Sequence, residues 1–406
     1  MIRDVCDSAR IRRRFEYLFD SVSVKRYRPC DLLSLKAMRG EKNVKAVPTI
    51  NDVAKRAGVS IATVSRVLNR SASVGENLRK KVETAIEETG YRANPIASSL
   101  KSARTNQIAI VIPTLRRTYY TDIIKGISDT CYEQGIIPMV LESDGIFEKE
   151  KGLIEALERQ WVDGIILIPG CMPEKNVLSE YAAYLGNLKK GEVSIPVILV
   201  DSPDINPKLD MVCADWEQCF SRITEHLLEI GRRYPAFIGN AEKVPTYALV
   251  KQGIDGVLRE AGIVMPKEAV MTGNYTVLDG YQAMKKLLAG NSRIDCVICM
   301  NDQVAAGAQT ACIESGLEVP KDICVIGCGG VAISIVADPA ITTVCIPRYE
   351  MGKKAMAVLL DRINGGEGET VRMKFSGNLS IRESTMKSAR KQMEIQFYES
   401  GEHVRK

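Results

Sequence analysis

Short apolar runs alternate with amphipathic stretches through residues 107–385. Each run is short enough and apolar enough to predict a buried strand, and the stretches between them have the spacing of helices. The seven runs are IAIVI at 108–112, IIPMVL at 136–141, GIILI at 164–168, PVILV at 196–200, PAFIG at 235–239, CVICM at 296–300 and ICVIG at 323–327. This alternation predicts an α/β fold of doubly wound parallel sheets.

A region of roughly 280 residues is long for one doubly wound unit, so the pattern predicts two lobes. We place lobe 1 at about 107–201 and 319–347, and lobe 2 at about 202–318 and 348–385. Residues 386–406 are polar and are interpreted as a frayed tail.

Residues 48–92 carry three shorter helical patterns. Thr49 and Asp52 fit a capping box at the start of the first helix. Gly58 supplies the left-handed backbone of a sharp turn, and Ser60 is placed to cap the second helix.

The second helix directs Val64, Val67 and Leu68 inward. The third pattern runs from about Glu76 to Thr89, and Gly90 is its predicted stop. Its apolar positions, four residues apart, are Leu78, Val82 and Ile86.

Two short helices joined by such a turn predict a helix-turn-helix, in which the second helix presents side chains to the DNA major groove. The outward positions of that helix are Ile61, Ala62, Thr63, Ser65 and Arg66. Arginine pairs with guanine, small apolar groups contact thymine methyls, and hydroxyls suit phosphates or base edges. The alternative is a purely structural helical hairpin.

The charge distribution supports a polyanionic partner. The chain carries a net +5, but residues 1–47 have 12 Lys/Arg against 6 Asp/Glu and residues 48–105 have 10 against 5. The remainder therefore carries about −6, so a basic front precedes an acidic body. Residues 1–47 lack clear periodicity and are predicted to be disordered or loosely helical, with Met38 as a possible true start.

The stretch TINDVAKRAGVSIATVSRVLN…GYRANPIASSL closely resembles the headpiece of the LacI/GalR family. Later segments resemble the same family in the expected order: WVDGIIL, MNDQVAAGA, VPKDICVIG, PAITTVCIPRYEMGKKAM and IREST. The resemblance implies a headpiece at 48–92, a hinge helix and linker at 93–106, and a core similar to periplasmic sugar-binding proteins. It also implies a regulator of transcription, a repressor by family norm, that binds a near-palindromic operator in double-stranded DNA as a homodimer.

The resemblance further implies which residues contact DNA outside the recognition helix. Leu100 matches a hinge leucine that inserts into the minor groove and kinks the duplex; the alternative is an ordinary linker residue. The other implied DNA contacts are Thr49, Ser60, Asn69, Asn94 and Ala97.

The resemblance places an effector between the lobes. The matching effector-binding positions are Tyr119, Tyr120, Asp201, Thr246, Tyr275 and Asp302. Carboxylates and flat aromatic rings suit polyhydroxylated or heterocyclic ligands. For Asp302, the alternative is a cap on the helix that starts there.

Two positions depart from the family pattern. Val250 stands where sugar- or purine-binding members often have arginine, and Gly329-Gly330 replace a common acidic pair. Such a pocket suits a less polar effector or none. The run Ile61–Arg66 is similar to that of the catabolite control proteins, so the implied partner is either a carbohydrate-like small molecule or a phosphorylated carrier protein.

Other function classes have weaker support. Cys296 and Cys299 form a CxxC, which we interpret as buried strand rather than half a metal or redox site. Gly327–Ala332 fits a dinucleotide fingerprint, but an acid follows only at Glu350, beyond another strand-like run. The chain has two histidines and no evident nucleophile–base pair. We therefore expect no enzyme activity, no cofactor and no metal.

The chain has no apolar run long enough for a membrane span and no signal-like start, which predicts a cytoplasmic protein with no membrane partner. A secreted sugar-binding protein and a regulator that needs no effector remain the alternatives.

Overall fold

A computed structural model gives the fold of most of the chain. It divides the chain into two compact units at residues 94 and 95, and each is considered by itself. The described residues are 48–68, 74–91, 104–202, 204–239, 244–290 and 293–389. Residues 1–47, including Met38, and residues 390–406 of the predicted tail lie outside them.

The first unit contains the three predicted helices. They are α1 (Ile50–Ala57), α2 (Ile61–Leu68) and α3 (Glu76–Thr89). Val53, Val64 and Val82, one from each helix, are fully buried and pack in a common core. The apolar positions that recur along each helix therefore face this common core.

The boundaries of α1 and α2 follow from their capping residues. The Asp52 carboxylate accepts hydrogen bonds from the Thr49 N–H (2.8 Å) and hydroxyl (2.7 Å), which also lowers the pKa of Asp52. Gly58 adopts φ 67°, a left-handed conformation that ends α1. The Thr63 N–H donates to the Ser60 hydroxyl (3.2 Å), as predicted for a cap of α2.

One predicted core position of α3 is wrong. Val82 is buried and Ile86 packs against the core, but Leu78 remains 40% exposed. Leu78 lies in the first turn of α3, and Val74, just before the helix, is buried in this core instead.

The second unit contains two six-stranded sheets, one parallel and one mainly parallel, and a small hairpin. The strands of its first half are β1 (Gln107–Ile112), β2 (Ile137–Glu142), β3 (Gly164–Leu167), β4 (Lys189–Lys190), β5 (Val193–Ser194), β6 (Val197–Val200) and β7 (Asp210–Ala214). The later strands are β8 (Pro235–Gly239), β9 (Val270–Thr272), β10 (Cys296–Cys299), β11 (Cys324–Gly329), β12 (Thr342–Cys345), β13 (Arg372–Phe375) and β14 (Asn378–Ser380).

Within the described ranges, the first sheet has the order β13-β7-β6-β3-β1-β2 and all its pairs are parallel. The second has the order β14-β12-β11-β10-β8-β9, and its β12–β14 pair is antiparallel. β4 and β5 form a separate small hairpin.

Helices connect these strands. Those of the first half are α4 (Thr118–Gln134), α5 (Phe147–Arg159), α6 (Lys175–Leu185) and α7 (Trp216–Glu229). The later ones are α8 (Tyr247–Glu260), α9 (Val277–Ala289), α10 (Asp302–Glu314), α11 (Ile333–Val336) and α12 (Arg348–Ile363). In the part of the chain that the structure covers, no helix is long and apolar enough to cross a bilayer.

All seven predicted strands are confirmed to within about two residues. The prediction of burial holds for six of them and is wrong for β2, where Ile137 is 62% exposed and Val140 37%. β2 is the edge strand of its sheet, so it is covered less completely than β1 and β3, which have neighbours on both sides.

The predicted lobe boundaries are wrong for the last third of the core. β11 and β12, at 324–345, belong to the second sheet rather than the first, whereas β13 joins the first sheet. α12 likewise packs on α4 and the first sheet. β10, β11 and β12 are neighbours in the second sheet, so the chain stays in that lobe through both connections between them. It crosses between the lobes near Asp215, Pro347 and Gly377.

Candidate DNA-binding surface and ligand cavity

The outer face of α2 is largely exposed in the described part of the first unit. Ile61 is 49% exposed although it is a large apolar residue. Ala62 and Arg66 are also exposed, and Thr63 and Ser65 are partly exposed. α2 faces its own core through Val64 and Val67 and leaves an apolar side chain and a guanidinium in solvent. Such an exposed face is typical of a recognition helix.

A surface ion pair braces the helices behind α2. Arg56 on α1 donates to the Glu88 carboxylate on α3 at 2.6 Å. Within the described part of the first unit, Arg66 makes no ion pair of this kind and remains available.

The other predicted DNA contacts divide into two groups. Thr49 is exposed, with its hydroxyl donated to Asp52, and Ser60 is exposed beside Thr63. Asn69, Asn94, Ala97 and Leu100 lie outside the described residues.

A cavity opens between the two sheets of the second unit, and its empty space, including the part open to solvent, is about 750 Å³. Its walls come from the loops and helix starts that follow β1, β3, β6, β7, β8, β9, β10 and β11, all at the carboxyl ends of parallel strands. This is where ligands bind in open α/β sheets, because the strand ends and helix starts leave a crevice with free polar groups. Five of the six predicted effector residues line it: Tyr119, Tyr120, Asp201, Thr246 and Tyr275.

Aromatic rings form much of the cavity wall. The rings of Tyr119 and Tyr120 lie 5.6 Å apart and nearly perpendicular, and the Tyr119 and Trp216 rings lie 5.9 Å apart. Ile168 and Met300 add apolar surface. The cavity is therefore better suited to an apolar, flat ligand body than to a fully hydroxylated one.

The Asp201 carboxylate is already engaged by the protein. It accepts hydrogen bonds from the Tyr119 hydroxyl (2.6 Å) and the Ala214 N–H (2.9 Å), and the residue is 6% exposed. Burial raises the pKa of Asp201, and these two hydrogen bonds oppose that rise. Asp201 also adopts φ 50°, a left-handed conformation that aspartate tolerates better than most residues and that turns the chain at the end of β6.

One cation lines the cavity and contacts both of its sides. Arg117, at the start of α4, lies with its guanidinium carbon 3.3 Å from the centre of the Tyr275 ring. Its Nη1 also donates to the Tyr120 hydroxyl at 3.3 Å. Arg117 belongs to the first lobe and Tyr275 to the second, so this cation–π contact bridges the cleft.

The sixth predicted effector residue, Asp302, is not in the cavity lining. It is fully buried, and its oxygens accept from the Val331 N–H (2.7 Å) and the Thr343 hydroxyl (2.6 Å). Burial raises the pKa of Asp302. The helix-cap alternative is also wrong, because Asn301 caps α10 by accepting from the Val304 N–H. Asp302 thus holds the loop after β11 behind the cavity wall.

Arg348 forms a second bridge below the cavity. From the start of α12 in the first lobe, its guanidinium donates to Asp122 on α4 at 2.7 and 2.9 Å. It also donates to the Gly329 carbonyl at the end of β11 in the second lobe. The residue is 3% exposed, so a desolvated charge links the lobes at this point.

Sequence reasoning missed two important cavity residues, Arg117 and Trp216. Arg117 lies at the end of the connection that follows β1, and Trp216 begins the helix that follows β7. The rule that ligand-binding groups follow strand ends would have pointed to Arg117, beside the double tyrosine. β7 itself was not predicted, so Trp216 had no such signal.

The positions that depart from the family pattern have structural explanations. Val250 is fully buried in α8 and does not line the cavity. Gly329 and Gly330 have φ 127° and 70°, and a Cβ on Gly330 would lie 2.7 Å from the Cys345 sulfur. In the fingerprint, a Cβ on Gly327 would lie 2.4 Å from the Asp302 carboxylate. The glycines therefore allow close packing, and the four-residue α11 that follows gives no nucleotide-binding helix.

The CxxC cysteines are confirmed as part of a buried strand. Cys296 and Cys299 lie at the two ends of β10 and are 1% and 0% exposed. Burial raises the pKa of both thiols, which disfavours the thiolate needed for metal or redox chemistry. Among the described residues, no cluster of three potential metal ligands is present.

A helix-turn-helix joined in one chain to a two-lobed α/β core with a cleft cavity defines a class of protein: DNA-binding regulators of transcription. Comparison with known proteins makes this more specific. Residues 49–94 match the family described as bacterial regulatory proteins, lacI family, and residues 224–385 match a periplasmic binding protein-like domain.

Similar proteins and structures agree. The HTH-type transcriptional regulator RegA of Clostridium saccharobutylicum is 34% identical over 341 residues, which cover 83% of this chain and 99% of that protein. Catabolite control protein A of Priestia megaterium is 32% identical over 340 residues, with coverage of 83% and 99%. The lac repressor dimer bound to operator and the anti-inducer ONPF superposes with a TM-score of 0.75 at 25% identity, over 84% of this chain and 99% of that one.

The chain belongs to the LacI family of bacterial regulatory proteins. The predicted family and fold class are confirmed, and the named relatives are regulators rather than enzymes.

Proposed function

We propose that this protein is a homodimeric transcriptional repressor that binds a near-palindromic operator and whose affinity for DNA is changed by a small molecule in the cleft cavity. The observation that carries the proposal is that one chain combines the exposed face of α2 with an interlobe cavity. Catabolite control protein A and the operator-bound lac repressor dimer, which align over nearly their whole length, support it.

The exposed face of α2 enters the major groove in this proposal. Arg66 pairs with a guanine, because it is exposed and its guanidinium fits the two acceptors of that base. Ile61 and Ala62 contact thymine methyls, and Thr63 and Ser65 contact phosphates or base edges. Thr49 and Ser60 lie at helix starts, where the N–H groups favour phosphate.

The segment 93–106 acts as hinge helix and linker in this proposal, between the DNA-binding domain at 48–92 and the core. Asn94, Ala97 and Leu100 contact the minor groove, and Leu100 inserts between base pairs. A helix of about two turns is marginal alone and forms more readily when its dimer mate and DNA are present. Ligand and DNA binding are then coupled through the hinge, and the coupling is reciprocal.

The cavity favours a small-molecule effector over a phosphorylated carrier protein as the regulatory signal. It is enclosed by both lobes and lined by aromatic rings and by Thr246, features of a ligand site. Tyr119, Tyr120, Asp201 and Tyr275 form the binding walls, and Asp302 acts indirectly by fixing the loop after β11. We place the protein in the cytoplasm, where an operator would be accessible.

A genomic binding selection tests the proposal. Purified full-length protein is mixed with fragmented genomic DNA at a stated salt concentration, with and without a metabolite extract. We expect a near-palindromic site to be enriched and the extract to change its recovery. Sequence-blind, salt-sensitive binding alone would contradict the DNA-recognition proposal, and an operator insensitive to every extract would favour a regulator without a small-molecule effector.

A further inference from the structure

We propose that the cavity binds a small organic monoanion with a flat aromatic body, a benzoate-like carboxylate, and that Arg117 holds its charge. The inference rests on the proposed function, in which the cleft is the effector site. It goes further by naming the chemistry of the ligand.

Arg117 has unused hydrogen-bonding capacity. Its guanidinium contacts the Tyr275 ring face and the Tyr120 hydroxyl. Across the residues described, no carboxylate lies within ion-pair distance of it. A guanidinium has five N–H donors arranged to fit an oxyanion. Arg117 is half-buried, lines the cavity and has no acidic partner among the described residues, so its guanidinium is suited to bind an anion.

The acidic groups around the cavity already accept hydrogen bonds from the protein. Asp201 is committed to Tyr119 and Ala214, and Asp302 to Val331 and Thr343. Carboxylates that already accept strong hydrogen bonds have little capacity left for the hydroxyls of a sugar. The cavity therefore offers a ligand a cation more readily than a set of acceptors.

The number of charges favours a carboxylate over a phosphate. Arg117 supplies one positive charge, and Asp201 lies in the same cavity. Among the other described lining residues no lysine or second arginine is present. A dianionic phosphate would bring one charge that no second cation of the described lining compensates, whereas a carboxylate is matched by the Arg117 guanidinium.

The shape of the walls indicates the rest of the ligand. The Tyr119 and Tyr120 rings are perpendicular, and Trp216 is tilted by 38° to Tyr119, so the walls form an angular slot of ring edges and faces. An aromatic ring fits such a slot through edge-to-face and offset contacts. The Tyr275 face is covered by Arg117, so the ligand meets the edge of the guanidinium rather than stacking on Tyr275.

Calorimetry with matched ligands tests the charge requirement. The probes are benzoate and 4-hydroxybenzoate, the corresponding benzamides, phenyl phosphate and glucose, each titrated into full-length protein. We expect the carboxylates to bind at least about tenfold more tightly than the uncharged amides and glucose, a difference of about 1.4 kcal/mol. Equal or tighter binding of an amide or of glucose, or no heat from either carboxylate, would overturn the inference. Tighter binding of phenyl phosphate would overturn the assignment to a monoanion.

Substitutions locate the charge. Arg117→Gln should weaken binding of the carboxylates at least about tenfold, and Arg117→Lys should keep part of it. Arg116→Gln is the matched control, because Arg116 is adjacent but exposed and outside the cavity lining. It should bind as the parent does. Equal affinities for the parent and Arg117→Gln would refute the role of Arg117.

Failure of this inference can be separated from failure of the proposed function. If the genomic selection gives an operator but the carboxylates do not bind, the regulator stands and the ligand class is wrong. If the carboxylates bind through Arg117 but no operator is found, the ligand class stands and the proposed regulation of DNA binding is wrong.

Discussion

A buried acid next to the cavity makes the stability of the core depend on pH. Glu150 on α5 is 2% exposed, and its carboxylate accepts from the Tyr181 hydroxyl (3.1 Å) and the Gly170 N–H (3.3 Å). Burial raises the pKa of Glu150 from 4.5 to about 7, and the two hydrogen bonds oppose the rise. Glu150→Gln removes this titration. Its amide can still accept from Gly170 and donate to the Tyr181 oxygen.

The sign and size of the effect follow from linkage. Because the pKa is higher in the folded state, folded protein retains a proton that unfolded protein releases. The resulting stabilisation is complete below pH 4.5 and is lost as the pH rises to about 7. The rise in pKa corresponds to about 3 kcal/mol. Relative to the parent, the glutamine variant should gain about 2–3 kcal/mol between roughly pH 5 and pH 8.

Tryptophan fluorescence isolates this transition from the DNA-binding domain. The chain has two tryptophans, Trp161 and Trp216, and both lie in the second unit. Urea unfolding of the parent and the variant, followed by this fluorescence over the pH range, gives the difference in free energy of unfolding. Glu148→Gln is the control, since it removes the same charge from an exposed position on the same helix.

Parallel pH dependences of the parent and Glu150→Gln would refute the reasoning. That result would mean that the Glu150 carboxylate is hydrated or differently paired in the folded core. A pH dependence changed equally by Glu148→Gln would show that the effect is one of overall charge rather than of burial.

Three further substitutions test other parts of the protein. Arg66→Ala should cost about 1–3 kcal/mol on the selected operator and relax specificity at one base pair, measured by fluorescence anisotropy on single-substituted sites; equal loss on all sequences would make Arg66 a phosphate contact. Leu100→Ala should reduce the DNA bend in circular-permutation gels, and an unchanged bend would refute its insertion. Lys190 pairs with Asp163, and both side chains are under 5% exposed. Lys190→Met should therefore destabilise the core by about 3–5 kcal/mol in urea unfolding, because it leaves the buried Asp163 carboxylate unpaired. Lys189→Met, at an exposed position, is the control and should not. A Lys190→Met variant as stable as the parent would show that Asp163 tolerates the loss.

The strands that the sequence predicted are those with continuous apolar runs. β6 and β10, for example, are buried on both faces and are apolar throughout. β13 (RMKF) and β14 (NLS) are short and partly polar because they lie at sheet edges, and no periodicity distinguishes them from loops. The lobe exchange near Pro347 also leaves no local pattern, since it depends on which sheet the next element packs against.

The candidate site was predictable where a residue lies in the connection or the first helical turn that follows a predicted strand. Tyr119, Tyr120 and Asp201 fall into this group and line the cavity. Asp302 also follows a predicted strand, but its carboxylate turns away from the cavity to bind Val331 and Thr343. The orientation of the Asp302 side chain depends on these two partners, which lie 29 and 41 residues further along the chain. The local spacing of apolar and polar residues does not predict contacts at that distance.

The two lobes are joined at three places, whereas the first and second units meet at one, between residues 94 and 95. This difference decides which parts of such a protein can be exchanged for those of another. The DNA-binding unit is attached through one peptide connection, so a recombination event or a designer can replace it with one splice. A lobe is interwoven with its neighbour near Asp215, Pro347 and Gly377, so transplanting one lobe needs three matched junctions. Operator choice can therefore change by exchange of a module, whereas ligand choice must change residue by residue or with the whole core.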